Sequence, residues 1–156
     1  MEGPPLWQRL LAALAYLLPW SDGVPFGEAL FRLVPALQWL VLPALPLMAL
    51  QQQIPFGGFL LFLVLFLAVV RNARVPYFIR FNVLQAILID IVLILVELAF
   101  NILLRPLGKE SFALNTLSNT VFLATLLLVV FSVVQSIRGR EADIPTVSEA
   151  VRMQLY

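Results

Sequence analysis

Asp90 and Glu97 stand seven residues apart inside a long apolar run, Phe81 to Leu104, and so share one face of a helix. Asn101 extends that stripe, and Asn82 and Gln85 form a neighbouring strip nearer the start of the run. In a later apolar run, Phe112 to Ile137, Ser118, Thr125 and Ser132 repeat at the same interval, with Ser136 beyond them. A carboxyl group in hydrocarbon costs roughly 2.5–3.5 kcal/mol on insertion scales, so it must face other helices or water. Two readings are open. The two stripes line a hydrophilic path, or they meet and hydrogen-bond as glue between helices, with the acids protonated or hydrogen-bonded. Spacing alone favours the glue.

Other chemistry is scarce. The chain has no His and no Cys, and Lys109 is its single lysine. The commonest general base, the thiolate nucleophile and Cys-ligated zinc or iron–sulfur centres are therefore missing. There is no phosphate loop, dinucleotide fingerprint or nucleophile elbow. Neither an enzyme nor a metal or cofactor site is expected.

The elements that would position these residues are membrane helices. Of 156 residues 62% are hydrophobic and only 12% charged, about half the charge of a soluble domain, and mean hydropathy is +0.97. A water-soluble globule of this size needs more polar surface. A span takes roughly 20 apolar residues for a core of roughly 30 Å. The expected fold is an all-α integral membrane protein of one domain, 1–156, with four transmembrane helices at 33–50, 54–70, 81–104 and 112–137. Pro35, Pro43 and Pro46 should kink the first. Residues 6–18 are too short to cross and meet Pro19, Ser21, Asp22 and Gly23. They read as a short interfacial or re-entrant helix, with Trp7, Tyr16 and Trp20 at headgroup depth. A signal-peptide core is the alternative, weakened by Glu2 and by the lack of a small-x-small site. Gly23 and Gly27 have small-xxx-small spacing, but Pro25 between them speaks against a dimerisation helix.

The tail, 138–156, lies outside the bilayer. Thr146 and Glu149 have capping-box spacing, and Val147, Val151 and Leu155 follow at helical intervals. This gives either a short amphipathic surface helix or a frayed end. Eight of the ten basic residues fall on one side of the four-span arrangement: Arg9, Arg32, Arg71, Arg74, Arg80, Arg138, Arg140 and Arg152. Arg105 and Lys109 fall on the other, beside the uncharged Gln51–Gln53 loop. Both termini should then be cytoplasmic. A net charge of +1 gives no field to recruit nucleic acid.

The block PYFIRFNVLQAILID, Pro76 to Asp90, resembles the Tic twenty-kilodalton subunit family of the chloroplast inner-envelope translocon, in its cyanobacterial or plastid-encoded form. Its R-F-N-x-x-Q-A pattern, Arg80 to Ala86, is the most specific part. AALAYLLPWSDGVPFG from Ala12, LPALPLMALQQQIPFGGFLLFLVLFLAVVRN from Leu42 and IPTVSEAVRMQL from Ile144 resemble further family segments in order. The resemblance implies four helical spans with both termini cytoplasmic or stromal, in a cyanobacterial plasma or thylakoid membrane or a plastid inner envelope. It also implies a part in a protein-conducting path. With only a few residues before the matched block, a bacterial or plastid-encoded member without the cleavable transit peptide of nuclear-encoded ones is expected. Four short spans cannot enclose a polypeptide-sized pore and keep a packed core, so conduction needs a homo-oligomer or other membrane-protein subunits, with preprotein as cargo. The alternative is a structural or assembly factor that binds other membrane proteins. The Phe-rich second span and the amphipathic ends would serve that role.

Overall fold

The computed structural model describes residues 3–108 and 111–155, and these contain helices and no strand. Eight α-helices follow in order: α1 Leu6–Ala15, α2 Leu17–Gly23, α3 Glu28–Leu33, α4 Leu45–Gln53, α5 Gly57–Leu65, α6 Tyr77–Leu103, α7 Phe112–Ile137 and α8 Val147–Leu155. A 3-10 turn, Val24–Gly27, joins α2 to α3, and a 3-10 segment, Pro35–Ala44, precedes α4.

The N-terminal stretch does not stop at residue 18. It stays helical to Leu33, with Tyr16 as a single turn residue. Pro19 falls in the first turn of α2 and Pro25 in the first turn of the 3-10 piece. First-turn amides have no intrahelical acceptor, so a missing N–H there costs nothing. Each proline starts a new turn instead of ending the helix.

This stretch runs the length of the bundle. At one end Arg9 Nη1 donates to the Ile137 carbonyl at 3.5 Å. In the middle Gly23 packs on Thr125. Further on, Phe26 meets Phe100 edge-on with ring centroids 5.2 Å apart, and Phe31 meets Phe122 at 5.3 Å. Residues 6–33 therefore lie parallel to α6 and antiparallel to α7. Tyr16 and Trp20, expected at headgroup depth, are buried in this packing, whereas Trp7 is exposed. The expected short interfacial or re-entrant helix at 6–18 is instead the first part of a longer helical stretch packed on α6 and α7. Gly23 and Gly27 serve the contact inside the chain. A Cβ at Gly23 would come within 2.6 Å of Thr125 Cγ2, and one at Gly27 within 2.7 Å of the Phe122 ring. Close backbone approach of this kind is what small residues supply between membrane helices.

Among the described residues two helices are long and apolar enough to cross a membrane, α6 extended through Leu107 and α7, against four in the sequence reading. The expected spans 33–50 and 54–70 meet that test only as a pair, Pro35–Gln53 with Gly57–Val70, bent by 109°. Proline is the cause of their irregularity. Pro43 lies inside the 3-10 segment, where it removes a donor that a regular α-helix would use, and Pro46 falls in the first turn of α4, where the chain changes from 3-10 to α-helix. Gln51–Gln53, expected as a loop, form the last turn of α4 before the bend. Phe56 there has a φ of 56°, and a Cβ at Gly57 would run into the Gln51 carbonyl. The pair starts at the Arg32 end of the bundle and finishes beside α6, where Arg80 Nε donates to the Val70 carbonyl at 2.9 Å.

The tail is ordered against the chain itself. Gly139, at a φ of 77°, closes α7 by donating to Ser136, while Arg140 donates to Gln135 at 2.9 Å. α8 forms at the expected spacing, with Val151 fully buried. Its start is fixed by the Ile144 amide donating to Ser148 Oγ at 2.8 Å, with Thr146 at a φ of 71°. Arg152 lies over the Phe81 ring at 5.5 Å and pairs with Glu141 at 3.1 Å. The Glu141 hydrogen bond is the main cause that raises the Arg152 pKa above its ordinary value.

Candidate functional site

A buried polar cluster sits where α1, α6, α7 and the tail converge. Asn82, on α6, donates from Nδ2 to the Phe78 carbonyl at 2.8 Å. Its Oδ1 accepts from the Tyr16 hydroxyl at 2.6 Å and from Ser136 Oγ at 3.1 Å. One turn on, Gln85 Nε2 donates to Tyr16 Oη at 3.0 Å and to the Ala142 carbonyl at 2.9 Å. Gln85 Oε1 accepts from Ser148 Oγ. Tyr16, Asn82, Gln85, Ser136, Ser148 and Ala142 are each 0% exposed. Both amide side chains use their oxygen and their nitrogen. The two amide side chains thus bond only to this chain's own groups, while Ser132 Oγ and Gln135 Oε1 nearby on α7 are buried without a partner among the described residues. Buried networks of this kind fix one arrangement of the segments that contribute to them.

Nearer the middle, Asp90 is buried and its Oδ1 has no hydrogen-bond partner. Asp22 of α2 is a neighbouring carboxyl group. A contact between two carboxyl groups is a hydrogen bond only when one of them carries a proton.

At the far end Glu97 pairs with Arg105 at 2.5 Å, and their side chains are 38% and 56% exposed. They line a cavity of about 440 Å³ together with Glu28, Arg32, Asn115 and Ser118.

The sequence-derived polar face is thus divided into three levels. Asn82 and Gln85 are brought together, and Asn82 meets Ser136 as the expected contact between the α6 and α7 stripes. Ser132 is buried beside the Tyr16 phenol. Thr125 Oγ1 donates to its own Val121 carbonyl at 2.8 Å, and its methyl lies under Gly23. Ser118 lines the end cavity, and Asn101 is exposed and apart from the others. The α7 stripe mostly meets the N-terminal helices, because these fill the place where the sequence reading set α6 and α7 face to face. Tyr16, Asp22, Ser148 and the Ala142 carbonyl were missed. An aromatic residue followed four later by a second one in an apolar stretch, Tyr16 and Trp20, is equally a signal of a buried helix face.

A family model described as "Chloroplast import apparatus Tic20-like" matches residues 1–151. The chain belongs to the Tic20 family. A Tic20 family protein of Synechocystis sp. is 43% identical over 147 residues, covering 94% of this chain and 92% of that one. Arabidopsis thaliana "Protein TIC 20-v, chloroplastic" is 32% identical, covering 94% and 70%. The Gracilaria tenuistipitata "Tic20 family protein Ycf60" is 33% identical, covering 94% and 74%.

In this Tic20 family member the R-F-N-x-x-Q-A block acts as a clasp. Arg80 holds the end of the bent pair, Phe81 supports α8, Asn82 holds α1 and α7, and Gln85 holds α1 and the tail. Ala86, 1% exposed, keeps the helix surface low beside them.

Proposed function

We propose that this Tic20 family member is a membrane subunit of a protein-translocation apparatus and that the path it serves lies between it and neighbouring subunits or copies. Family membership carries the first half. The packing supports the second. Tyr16, Trp20, Phe26, Phe100 and Phe122 fill the bundle interior, and Tyr16, Asn82, Gln85, Ser136 and Ser148 at one end bond to one another. A polypeptide would have to pass outside this core. Preprotein is the cargo, and lipid and other membrane-protein subunits are the standing partners.

The packing also supports four crossings with altered membership: 6–33, the bent pair 35–70, 77–103 and 112–137. Arg32 moves to the Arg105 end, so the basic residues divide seven against three, counting Lys109 by sequence. The asymmetry keeps its sign and leaves both termini on the cytoplasmic or stromal side.

A second reading, a structural or assembly factor without channel activity, is favoured by that same closed core. Depletion of the protein from native membranes separates the two. Stalled, untranslocated precursors support the translocation role. Normal translocation with membrane complexes left unassembled would replace it with the second reading.

A further inference from the structure

A second cavity, of about 530 Å³, lies between α3 and the 3-10 segment with α4. Its walls are apolar, from Val24, Phe31, Val41, Leu42, Leu45 and Met48, and Glu28, Arg32 and Gln38 form its polar rim. Its volume is in the range of small-molecule sites. Arg32 and Glu28 also line the neighbouring polar cavity with Arg105. Arg105 is neutralised by Glu97. Arg32 is exposed and makes no hydrogen bond or ion pair among the described residues, and the same holds for Glu28.

We propose that this groove holds an anionic, hydroxyl-bearing lipid, its phosphate on Arg32 and its acyl chain between α3 and the 35–48 segment. Three observations select this occupant. A guanidinium with unused donors at the mouth of an apolar groove, with Glu28 beside it on the rim but not paired to it, complements an amphiphile with an anionic head. The Glu28 carboxylate can only accept, so a headgroup with hydroxyl donors satisfies it and a bare phosphate does not. Trp39, 73% exposed, and Leu33, 76% exposed, are the sequence neighbours of the rim residues Gln38 and Arg32, as expected where the protein surface meets the headgroup layer. The site stands apart from the buried polar cluster and does not depend on the translocation reading.

Native mass spectrometry of the full chain, released from vesicles of phosphatidylglycerol and phosphatidylcholine in equal amounts, tests the assignment. Phosphatidylglycerol should be retained in preference, and Arg32→Gln should lower its retention about tenfold, the scale of one charge-assisted hydrogen bond. Arg32→Lys should keep part of it. Millimolar inorganic phosphate should leave the bound lipid in place. Leu42→Gln, which alters the groove wall and spares the charge, should also weaken retention. The thermal midpoint of Arg32→Gln should match the parent chain, since Arg32 makes no hydrogen bond or ion pair among the described residues. Equal retention of the two lipids, or unchanged retention in both variants, overturns the proposal. Displacement by phosphate alone would reassign the site to a free anion, and displacement by an apolar peptide would reassign it to a polypeptide.

Discussion

Gln85 Nε2 donates to the Tyr16 hydroxyl at 3.0 Å across 69 residues of sequence, and this bond ties the N-terminal stretch to α6. The same amide nitrogen reaches the Ala142 carbonyl, so one side chain holds both ends of the chain against the bundle. Gln85→Leu should leave Tyr16, Ala142 and Ser148 each short of a partner and cost about 1–3 kcal/mol. Tyr16→Phe should cost about 0.6–2 kcal/mol, and the double variant less than the sum of the two. Thermal unfolding in detergent measures all three. Strict additivity would contradict a shared network.

Gly27 should tolerate no side chain. Gly27→Leu forces the Phe122 ring out of its place between Trp20 and Phe31, at about 1–3 kcal/mol. Gly58 has open space around its Cβ position, and Gly58→Ala should be neutral or slightly stabilising. Equal effects of the two changes would show that residues 6–33 do not pack on α7.

Asp90 and Glu97 should respond differently. Asp90→Asn keeps a donor toward Asp22 and should fold normally, whereas Asp90→Leu leaves the Asp22 carboxyl facing a hydrocarbon group. Glu97→Leu removes only a partly exposed ion pair, worth about 0–1 kcal/mol. Comparable loss of thermal stability in the two leucine variants would contradict the separation of these acids into different environments.

The long, evenly apolar helices were legible and the proline-rich ones were not. The spacing read α7 as Phe112 to Ile137, which is where it lies, and α6 begins four residues before the expected Phe81 because Pro76 caps it. The helical spacing of Val147, Val151 and Leu155 marked α8, and of the three Val151 is fully buried. Residues 6–33 misled because Asp22, Glu28 and Arg32 look like loop residues and Pro19 like a stop. Asp22 finds Asp90, Glu28 and Arg32 sit at the bundle end, and Pro19 needs no donor where it stands. Asn82 and Gln85 were read as polar helix positions, but their partners Tyr16, Ala142 and Ser148 depend on tertiary contacts across 57 to 69 residues, which no local pattern encodes.

The chain has no native cysteine, so single-cysteine labelling maps its path cleanly. Leu33→Cys should react with a membrane-impermeant reagent from the same side as Gly108→Cys and from the side opposite Ala73→Cys. Labelling of Leu33→Cys together with Ala73→Cys would restore 33–50 as the first span and overturn the path drawn here for residues 6–33.

The most direct measurement on the central claim is crosslinking of a translocation-arrested precursor in native membranes, with photoreactive groups placed along the protein. Groups at the outward-facing Leu95 and Leu127, which are 59% and 71% exposed, should capture the precursor, and groups at the buried Phe122 should not. Capture of mature membrane subunits alone, with no precursor at any position, would contradict a role in the translocation path.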